Sequence, residues 1–438
     1  MTASLIIGFK HKIAYLMYSL LWLLLTPLLL LNLLFCLLIR KQGYTLARLS
    51  RFGLCKTNKS NHNILIHCAS VGEVVTIQNL VEKLLTYQPQ ISIIITTNTT
   101  TGADRVKTLF ADKISHYYLP YDFPLFVWLF FKIIEPQKIL INEMELWPNL
   151  CRSSKKMNIP LYLVNGRMSE KSTKTYLKFP ALFQPMFDSF EHICAQSQRD
   201  YKNYLSLGVE KQRITLTNNI KFELNIDPTE LSTSQNIIQT YGLKERRILL
   251  AGSTHDPEEK ILLEAYLALS KTYKNLLLVI VPRHPQRFEK VQQLLIKQSI
   301  KISLMSQQQS CDSNTQVLLC DQMGKLRALY NLAEIAFVGG SIAERGGHNA
   351  LEPAIFDVPI LMGPSVYNNP AIQQTLKDAG ALKTVHNAED IKTACQHWLD
   401  NTELRNQDGQ AGGLVIQQNK GAINKTLLAI GLANTNQQ

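Results

Sequence analysis

The sequence lacks the cysteine and histidine spacings that mark disulfide scaffolds and metal centres. Its eight cysteines form no CxxC pair, and its ten histidines form no HxxxH pair. Cysteines without a regular framework indicate free thiols in a reducing compartment. Histidines without helical spacing argue against a His-based zinc site, so we predict a protein that needs no bound metal.

Acidic residues are also scarce. The chain has 34 Asp and Glu against 46 Lys and Arg, which gives a net charge of +12. This excess predicts an anionic partner such as nucleic acid, an acidic membrane face or a phosphorylated substrate, although a basic surface that is merely solvated is an alternative. The basic residues are scattered and are not interleaved with aromatic residues in one patch, which argues against nucleic acid.

The segment Ile13–Ile39 contains no charged residue. It exceeds the roughly 20 residues needed to cross a bilayer and lacks a small-residue cleavage site, so we predict a retained anchor within residues 1–45 rather than a signal peptide. Pro27 and Asn32 interrupt the segment and leave a kinked or re-entrant helix open. Basic residues are fewer before the segment than after it, which predicts that the larger C-terminal portion is cytoplasmic. These flanking residues are Lys10 and Lys12 before the segment, and Arg40, Lys41, Arg48, Arg51 and Lys56 after it.

Short apolar runs alternate with longer amphipathic runs from residue 63 onward. Strands separated by helices predict an α/β fold with parallel sheets covered on both faces. A polar stretch at 225–236 interrupts the alternation, so we expect two Rossmann-like, doubly wound domains at 46–228 and 229–425, followed by a polar tail at 426–438. Folds of this kind bind ligands at the carboxyl ends of their strands, and two such domains would face each other across a cleft.

Polar residues follow the apolar strands of the first predicted domain. Glu73 comes after the first strand and Gly72, where it is either a favourable charge in the first turn of a helix or a general base. Glu143 follows a later strand in KILINEMELWPNL (138–150), and a carboxylate in that position is costly unless it is solvated, paired or used. Lys221 comes just before the predicted boundary, from where it could face the cleft.

The segment GGSIAERGGHNALEP (Gly339–Pro353) carries four glycines between an apolar run and an expected helix. A Gly-rich turn before a helix offers free N–H groups to a phosphate, and Glu352 could reach ribose hydroxyls. The segment contains neither GK[ST] nor GxGxxG, so it is not one of the common nucleotide loops. We interpret it as a nucleotide or phosphate site, with a purely structural strand–turn–helix as the alternative.

Taken together, ten segments of the sequence resemble the 3-deoxy-D-manno-octulosonic acid (Kdo) transferases of lipopolysaccharide synthesis. In family order these segments are HCASVGE, TTNTTTGADRV, YLPYDFP, NEMELWPNL, NGRMSEKS, NNIKFE, AGSTHDPEE, VPRHPQRF, MGKLRALY and FVGGSIAERGGHNALEP. The resemblance implies a GT-B fold and an inverting, metal-independent transfer of Kdo from CMP-Kdo to the tetraacyl-disaccharide lipid A precursor, lipid IVA. It also implies a location on the cytoplasmic face of the inner membrane, with no cofactor besides the donor substrate and no nucleic-acid partner.

The resemblance assigns roles to individual residues. By motif, Glu73 is similar to the family's general base, and Glu143 and Lys221 to groups that stabilise the transition state. The positions that match the family's CMP-binding residues are Pro282, Arg283, Met323, Gly324, Lys325, Asn349, Ala350, Leu351 and Glu352. We expect further donor contacts from Ser253, His284, Gly340, Gly347 and His348. Departures from the usual pattern are Lys325 in place of Glu, Ala350 in place of Pro and Gly166 in place of Ala.

Two other functions fit parts of the sequence. One is a different membrane-associated GT-B transferase that uses another nucleotide sugar. The other is a membrane-anchored basic binding protein without catalytic activity. Competition between CMP and UDP for binding distinguishes the first alternative, and salt-sensitive binding of oligonucleotides without CMP binding would favour the second.

Overall fold

The computed structural model describes residues 2–39, 41, 44–56 and 62–433. The chain divides into two compact units, each built around one parallel sheet. Unit 1 comprises Met1–Glu223 and Lys420–Gln438, and unit 2 comprises Leu224–Asn419. The prediction of an α/β chain with two doubly wound, Rossmann-like domains is therefore confirmed. The predicted flanking residue Arg40 and the end of the predicted tail lie outside the described residues.

Fourteen strands and eighteen α-helices occur within the described residues. The strands of unit 1 are β1 Asn63–His67, β2 Ser92–Thr97, β3 Ser115–Tyr118, β4 Pro136–Asn142, β5 Leu161–Gly166, β6 Phe190–Ala195 and β7 Ile214–Leu216. The strands of unit 2 are β8 Arg247–Thr254, β9 Leu276–Pro282, β10 Ile302–Leu304, β11 Val317–Leu319, β12 Ile335–Val338, β13 Ile360–Met362 and β14 Leu382–Thr384. The helices are α1 Thr2–Leu38, α2 Val71–Thr76, α3 Gln78–Tyr87, α4 Thr100–Phe110, α5 Pro124–Ile134, α6 Pro148–Lys156, α7 Glu170–Lys178, α8 Pro180–Phe187, α9 Gln198–Ser206, α10 Pro228–Tyr241, α11 Glu258–Leu269, α12 Phe288–Lys297, α13 Leu326–Tyr330, α14 Leu351–Ala354, α15 Pro370–Asp378, α16 Ala388–Asp400, α17 Thr402–Asn419 and α18 Ala422–Ala429.

The sheet of unit 1 has the strand order β3-β2-β1-β4-β5-β6-β7, with parallel neighbours throughout. Its strands are apolar on both faces because helices cover both faces, and β1 (NILIH) is buried at every position. Two clusters of buried apolar side chains make up its core. The order reverses between β1 and β4, so the segments that follow these strands meet at the edge where such folds bind ligands.

The sheet of unit 2 has the order β10-β11-β9-β8-β12-β13-β14 and is also parallel throughout. Two further clusters of buried apolar side chains pack with this sheet. The order reverses between β8 and β12. The segment after β8 therefore adjoins both Arg283–His284, which follow β9, and the Gly-rich segment that follows β12.

The C-terminal residues belong to unit 1, which differs from the predicted boundaries. In the sequence, 229–425 was expected to form one domain and 426–438 a polar tail. In the structure, α18 buries Ile423 and Leu427 in the core of unit 1, in the same cluster as residues of β1 and β2. Lys138 Nζ donates to the Ile430 carbonyl at 2.6 Å. The region is rich in Gln and Asn, and the few apolar residues that pack on unit 1 are not apparent from its composition.

The apolar N-terminal segment is one continuous helix, α1, which includes Pro27. The helix therefore does not re-enter at Pro27. The stretch Lys10–Leu38 is long and apolar enough to cross a membrane, and no other helix of the described residues meets that test. One face of α1 packs on unit 1, since Ser19 Oγ donates to Asn149 Oδ1 at 3.1 Å and the rings of Trp22 and Tyr121 lie 5.7 Å apart. The opposite face is a continuous apolar surface in which Leu16, Met17, Leu24, Leu28, Leu31, Phe35 and Leu38 are exposed.

Candidate active site

Glu73 lies in the first turn of α2, directly after β1. Ser70 caps this helix by accepting the N–H of Glu73 at 3.4 Å, and the Glu73 carboxylate accepts the N–H of Ala69 at 3.0 Å. Burial raises the pKa of Glu73 to about 7; the Ala69 N–H opposes this rise, and the negative charges of Glu143 and Glu145 add to it. A carboxyl group with this pKa exchanges protons near neutral pH, so Glu73 both caps a helix and suits a general base.

A cavity of about 370 Å³ lies at the edge of the unit 1 sheet where the strand order reverses. Its walls come from the segments that follow β1, β4 and β5, and from α7. The structure thus brings Glu73 and Glu143, which were predicted from separate strand ends, to one cavity. The lining residues are Glu73, Glu143, Met144, Glu145, Arg167, Ser169, Ser172 and Tyr176.

Glu143 is the first residue after β4, and its backbone is left-handed with φ 58°. Its N–H donates to the Val164 carbonyl at 3.0 Å, and its carbonyl accepts the Arg167 N–H at 3.3 Å, so β5 and the segment that follows it hold this turn. Lys221 Nζ lies 3.1 Å from Glu143 Oε1, and about a quarter of each side chain is exposed. Left-handed backbone in a non-glycine residue costs on the order of 1–3 kcal/mol and concentrates at functional sites.

Lys221 sits in the short 3₁₀ turn Ile220–Phe222, which side-chain amides hold in place. Asn165 Oδ1 accepts the Ile220 N–H at 3.2 Å, and Asn219 Oδ1 accepts the Lys221 N–H at 3.0 Å. Asn219 in turn donates to Gln196 Oε1 at 2.7 Å. These bonds join the turn to the end of β5 and to the residue that follows β6, so the backbone that carries Lys221 is held in place.

Glu145, the second carboxylate of the EMELW segment, is held by three neighbours that no motif in the sequence indicates. Its Oε2 accepts the Trp147 indole N–H at 2.8 Å and the Asn98 amide at 3.2 Å, and it lies 3.5 Å from Nε2 of the buried His67. Burial alone would raise the pKa of Glu145. The hydrogen bonds and the positive charge that His67 can carry outweigh burial, so this pKa lies below its usual value. Glu145 therefore stays ionised and positions the segment that carries Glu143.

Arg167 is a further cavity residue without an assigned role from the sequence. Its guanidinium forms no hydrogen bond or ion pair within the described part of the chain, although three carboxylates line the same cavity. Ser169 caps α7 by accepting the Ser172 N–H at 3.1 Å, and Tyr176 lies one turn further along this helix. One feature of the sequence indicates that Arg167 belongs to this site: NGRMSEKS follows β5 in the same way that the segment with Glu143 follows β4.

In unit 2, Glu258 at the start of α11 is fully buried and binds the Gly-rich segment. Its carboxylate accepts five backbone N–H groups at distances between 2.9 and 3.2 Å. These N–H groups belong to His255, Gly340, Ser341, Ile342 and Ala343. The structure thus differs from the expectation that this part of the segment presents free N–H groups to a phosphate, because a carboxylate of the chain already occupies them.

The rest of the Gly-rich segment is also bonded internally. The Gly347 N–H donates to the Gly340 carbonyl at 2.9 Å, and the His348 N–H to the Gly339 carbonyl at 3.0 Å. Gly340 and Gly347 both have left-handed φ, 70° and 68°, which glycine adopts without strain. The helix that follows, α14, has only four residues. The glycines serve this tight turn rather than a long helix with a free N-terminus.

Three histidines meet at the carboxyl edge of the unit 2 sheet. The imidazoles of His255 and His348 are stacked with their centroids 5.2 Å apart, and His284 meets His255 edge-on at 5.4 Å. Burial, together with the positive charges of neighbouring side chains such as Arg283, lowers the pKa of both His255 and His348 to about 4. Both rings are neutral at pH 7, so one donates and the other accepts in the 2.9 Å contact between their Nε2 atoms.

Glu352 interacts electrostatically with arginine side chains of the same region. Burial raises the pKa of Glu352. This rise is opposed by the positive charges of Arg327 and Arg283 and by a hydrogen bond with Asn349. Asn349 Oδ1 also accepts the Leu351 N–H at 3.2 Å. The structure therefore brings together several of the predicted donor-side residues, namely Arg283, His284, His348, Asn349 and Glu352, with Ser253 and Pro282 at the ends of the neighbouring strands.

The predicted residues Met323–Lys325 form an exposed turn before α13. Met323 is 58% exposed, and a Cβ added at Gly324 would meet no atom within 4 Å. Lys325 begins α13 by accepting the Leu329 N–H at 3.0 Å. Within the described residues, no hydrogen bond or salt bridge joins this turn to Glu352. Its part in nucleotide binding stays a prediction, as does the effect of Lys325 in place of Glu.

A metal centre was not expected from the sequence. Among the residues that the structure describes, no group of three or more His, Cys, Asp and Glu side chains is arranged to hold a metal ion. The eight cysteines are described and form no disulfide, and seven of them are buried. Metal-independent chemistry stays a prediction.

A family model described as 3-Deoxy-D-manno-octulosonic-acid transferase (kdotransferase) matches residues 47–224. The 3-deoxy-D-manno-octulosonic acid transferase of Haemophilus influenzae is 40% identical over 365 residues, which cover 83% of this chain and 85% of that relative. The protein of the same name from Rickettsia bellii is 30% identical over 363 residues, which cover 81% of this chain and 85% of that relative.

A solved structure shares the fold at low sequence identity. The UDP-GlcNAc 2-epimerase from Neisseria meningitidis, bound to UDP-GlcNAc, matches 85% of this chain and 100% of its own with a TM-score of 0.57. Its sequence identity is 14%, so the match shows the fold alone. This shared fold agrees with the GT-B class predicted from the sequence.

Proposed function

The chain belongs to the 3-deoxy-D-manno-octulosonic acid (Kdo) transferase family, and from this premise we propose that it transfers Kdo from CMP-Kdo to lipid IVA in lipopolysaccharide core biosynthesis. The observation that carries the proposal is the unit 1 cavity. There Glu73, with a pKa of about 7, lies beside Glu143 and the Lys221 ammonium that pairs with it. This set suits a proton transfer coupled to the departure of an anion.

Glu73 acts as the general base. Its carboxylate takes the proton of the acceptor sugar hydroxyl as the hydroxyl oxygen attacks the anomeric carbon of Kdo. A bond forms between that oxygen and that carbon, and the bond between the carbon and the phosphate oxygen of CMP breaks. The attack comes from the face opposite the leaving group, so the configuration inverts. The proton ends on Glu73 and the negative charge on released CMP.

Glu143 and Lys221 stabilise charge in the transition state. The anomeric carbon becomes oxocarbenium-like while the phosphate gains negative charge, so a fixed carboxylate and a fixed ammonium each favour one side of the charge separation. Their 3.1 Å contact orients both groups before substrate binds. No reorganisation is then needed at the moment of reaction.

Unit 2 binds the donor nucleotide through side chains. Since Glu258 occupies the N–H groups of Gly340–Ala343, the CMP phosphate is bound by the Arg283 guanidinium and neighbouring imidazole N–H groups rather than by that loop. Glu352, beside Asn349, is the group best suited to ribose hydroxyls. Met323–Lys325 would complete this site by their backbone.

The chain acts at the inner membrane, with α1 as its single anchor, and with the rest of unit 1 and all of unit 2 in the cytoplasm. Support comes from the length and apolar composition of Lys10–Leu38 and from the basic residues that follow it. The net charge of +12 suits a phosphorylated lipid substrate at an anionic membrane surface.

The test uses the purified full-length protein with CMP-Kdo and lipid IVA. We expect release of CMP and a lipid product whose mass has increased by one or more Kdo residues. UDP-sugars should neither react nor compete with CMP for binding. Binding of UDP in preference to CMP, or no transfer with a membrane extract that supplies all acceptor lipids, would instead favour a different GT-B transferase.

A further inference from the structure

A second cavity of unit 1, of about 190 Å³, lies between the N-terminal part of α1 and the helices α6 and α8. It shares no lining residue with the candidate active site. Its rim is strongly basic, with Lys12 from α1 and Arg152, Lys155 and Lys156 from α6. The rings of Tyr15 and Pro185 form part of its wall. We refer to it as the basic cavity.

The positive charge of the basic cavity is not neutralised by the chain itself. None of its four Lys and Arg side chains forms a salt bridge within the described residues. Two carboxylates act on Tyr15, Asp122 and Asp188. Asp122 accepts the N–H groups of Asn149 and Leu150, and Asp188 accepts a hydrogen bond from Gln184 at 3.2 Å. Four cations against two carboxylates that are bonded elsewhere leave a site whose electrostatic complement is an anion.

Ordinary roles account for only part of this cluster. Lys155 and Lys156 lie in the last turn of α6, where a cation stabilises the helix dipole. That role does not explain Lys12, which comes from another helix. It also does not explain Arg152, whose guanidinium stacks on the Tyr15 ring at 5.3 Å and is thereby held at the cavity.

The basic cavity adjoins the apolar outer face of α1. Ile13, Leu16 and Met17, which are 40%, 68% and 67% exposed, lie within about one helical turn of Lys12 and Tyr15. An anion bound at the cavity thus has apolar surface next to it. A ligand that matches both features has a charged head and hydrocarbon chains.

We propose that the basic cavity binds the phosphate head group of an anionic glycerophospholipid, with its acyl chains along Ile13, Leu16 and Met17. This is a structural lipid site and is separate from the acceptor substrate. The head group fixes one end of α6, and the other end of α6 follows Glu145 and Trp147 directly. Since the nine residues of α6 span about 14 Å at 1.5 Å per residue, the bound lipid sets the height of the active-site cavity above the bilayer.

The experiment measures lipid adducts on the full-length protein in neutral detergent by native mass spectrometry. Phosphatidylglycerol and phosphatidylcholine of the same chain length are added in separate titrations. The test variant is Arg152→Ala/Lys155→Ala/Lys156→Ala. We expect this variant to bind phosphatidylglycerol at least about 100-fold more weakly, because each Lys or Arg near an anionic lipid contributes about fivefold. Its binding of phosphatidylcholine should match that of the wild type.

The matched control removes the same charge from exposed lysines of unit 2, as Lys244→Ala/Lys290→Ala/Lys297→Ala. It should retain phosphatidylglycerol binding, which separates a site from a general effect of net charge. Equal losses in the two triple variants would overturn the proposal. Unchanged CMP binding shows that the test variant is folded, and Lys155→Glu/Lys156→Glu, at two exposed positions, repeats the test if the triple variant is unstable.

Two further arms distinguish the source of the anion. Inorganic phosphate at a concentration that matches the lipid should not displace phosphatidylglycerol, because it lacks acyl chains; displacement would mean a site for free anions. Lipid IVA turnover by the test variant in phosphatidylcholine micelles should match that of the wild type. A raised KM for lipid IVA there would mean that the cavity binds the acceptor, and would overturn the proposal without affecting the proposed transfer reaction.

Discussion

Lys221 Nζ and Glu143 Oε1 lie 3.1 Å apart, which ties the turn before the unit boundary to the end of β4. Each side chain is about a quarter exposed, and an ion pair in that environment contributes at most about 1 kcal/mol to stability. Glu143 also has a left-handed backbone that is costly to maintain. The pair is better explained by orientation of charge at the cavity than by stabilisation of the fold.

Lys221→Ala should therefore separate activity from stability. We expect kcat to fall at least about 100-fold, as when one preorganised electrostatic group is removed, while the free energy of unfolding changes by about 1 kcal/mol or less. Lys221→Arg keeps the charge and should retain part of kcat. Lys202→Ala, at an exposed position of α9, is the control with the same charge loss. Kinetics of CMP release and chemical denaturation measure both quantities, and a loss of activity matched by a loss of stability would contradict this assignment.

Glu73 should control the pH dependence of the reaction. A base must be ionised to accept a proton, so with a pKa of about 7 the rate kcat/KM should rise about tenfold per pH unit below pH 7 and level off above it. Glu73→Gln should lose nearly all turnover at every pH while CMP binding is unchanged. A rate that is flat between pH 5 and pH 8 in the wild type would exclude Glu73 as the titrating group.

Glu73 should also destabilise the folded protein at high pH. Its folded pKa lies above the usual value of 4.5, so its contribution to stability is present below that value and is lost as the pH rises through about 7. Gln retains an oxygen for the Ala69 N–H but has no charge to desolvate. Glu73→Gln should thus unfold at the same or a higher temperature than the wild type at pH 8, with the difference vanishing toward pH 4; lower stability at pH 8 would contradict this.

Glu258 should be required for the fold of unit 2 rather than for chemistry. Glu258→Ala leaves five N–H groups without an acceptor in a buried site, so we expect a loss of at least about 3 kcal/mol in the free energy of unfolding. Glu258→Gln keeps one acceptor oxygen, so its free energy of unfolding should lie between those of the wild type and Glu258→Ala. Glu264→Ala, at an exposed position of the same helix, should change stability by less than about 0.5 kcal/mol. Denaturation curves of the three variants test the order.

Arg167 should affect the acceptor and not the nucleotide. Its guanidinium lines the active-site cavity without an ion pair in the described residues, which leaves it available to an anionic group of the substrate. Arg167→Ala should raise KM for lipid IVA about tenfold or more with CMP binding unchanged, and Arg167→Lys should recover only part, because a lysine cannot bind in the bidentate manner. Equal KM values for the wild type and Arg167→Ala would show that the guanidinium does not bind the acceptor.

The sequence predicted the sheets well because each buried parallel strand is a short apolar run, and because Gly and polar residues mark its end. The same rule located Glu73 and Glu143, each directly after such a strand. It could not locate the partners of Glu145. His67 and Asn98 come from two other strand ends, and only the strand order places these ends beside one another.

Glu258 shows most clearly what the sequence could not predict. In the sequence it is a carboxylate in the first turn of a helix, a pattern that ordinary capping explains. Its main partners, Gly340–Ala343, lie more than eighty positions later in the chain. The Gly-rich segment likewise has the composition of a phosphate loop, and nothing within it shows that its N–H groups are already bonded. Composition identifies which groups can bind an anion, and only the fold shows which anion they bind.

The docking of α18 on unit 1 has a consequence for the order in which the protein is made. The helix α1 and the strands of unit 1 are synthesised before unit 2, and therefore before the apolar residues of α18 that complete their core. At 5–20 residues per second, the roughly 200 residues of unit 2 take about 10–40 s to synthesise, and the surface that α18 later covers stays open for that time. A chain whose translation stops after unit 2 keeps this apolar surface of unit 1 uncovered. Loss of α18 should therefore expose truncated products to proteolysis.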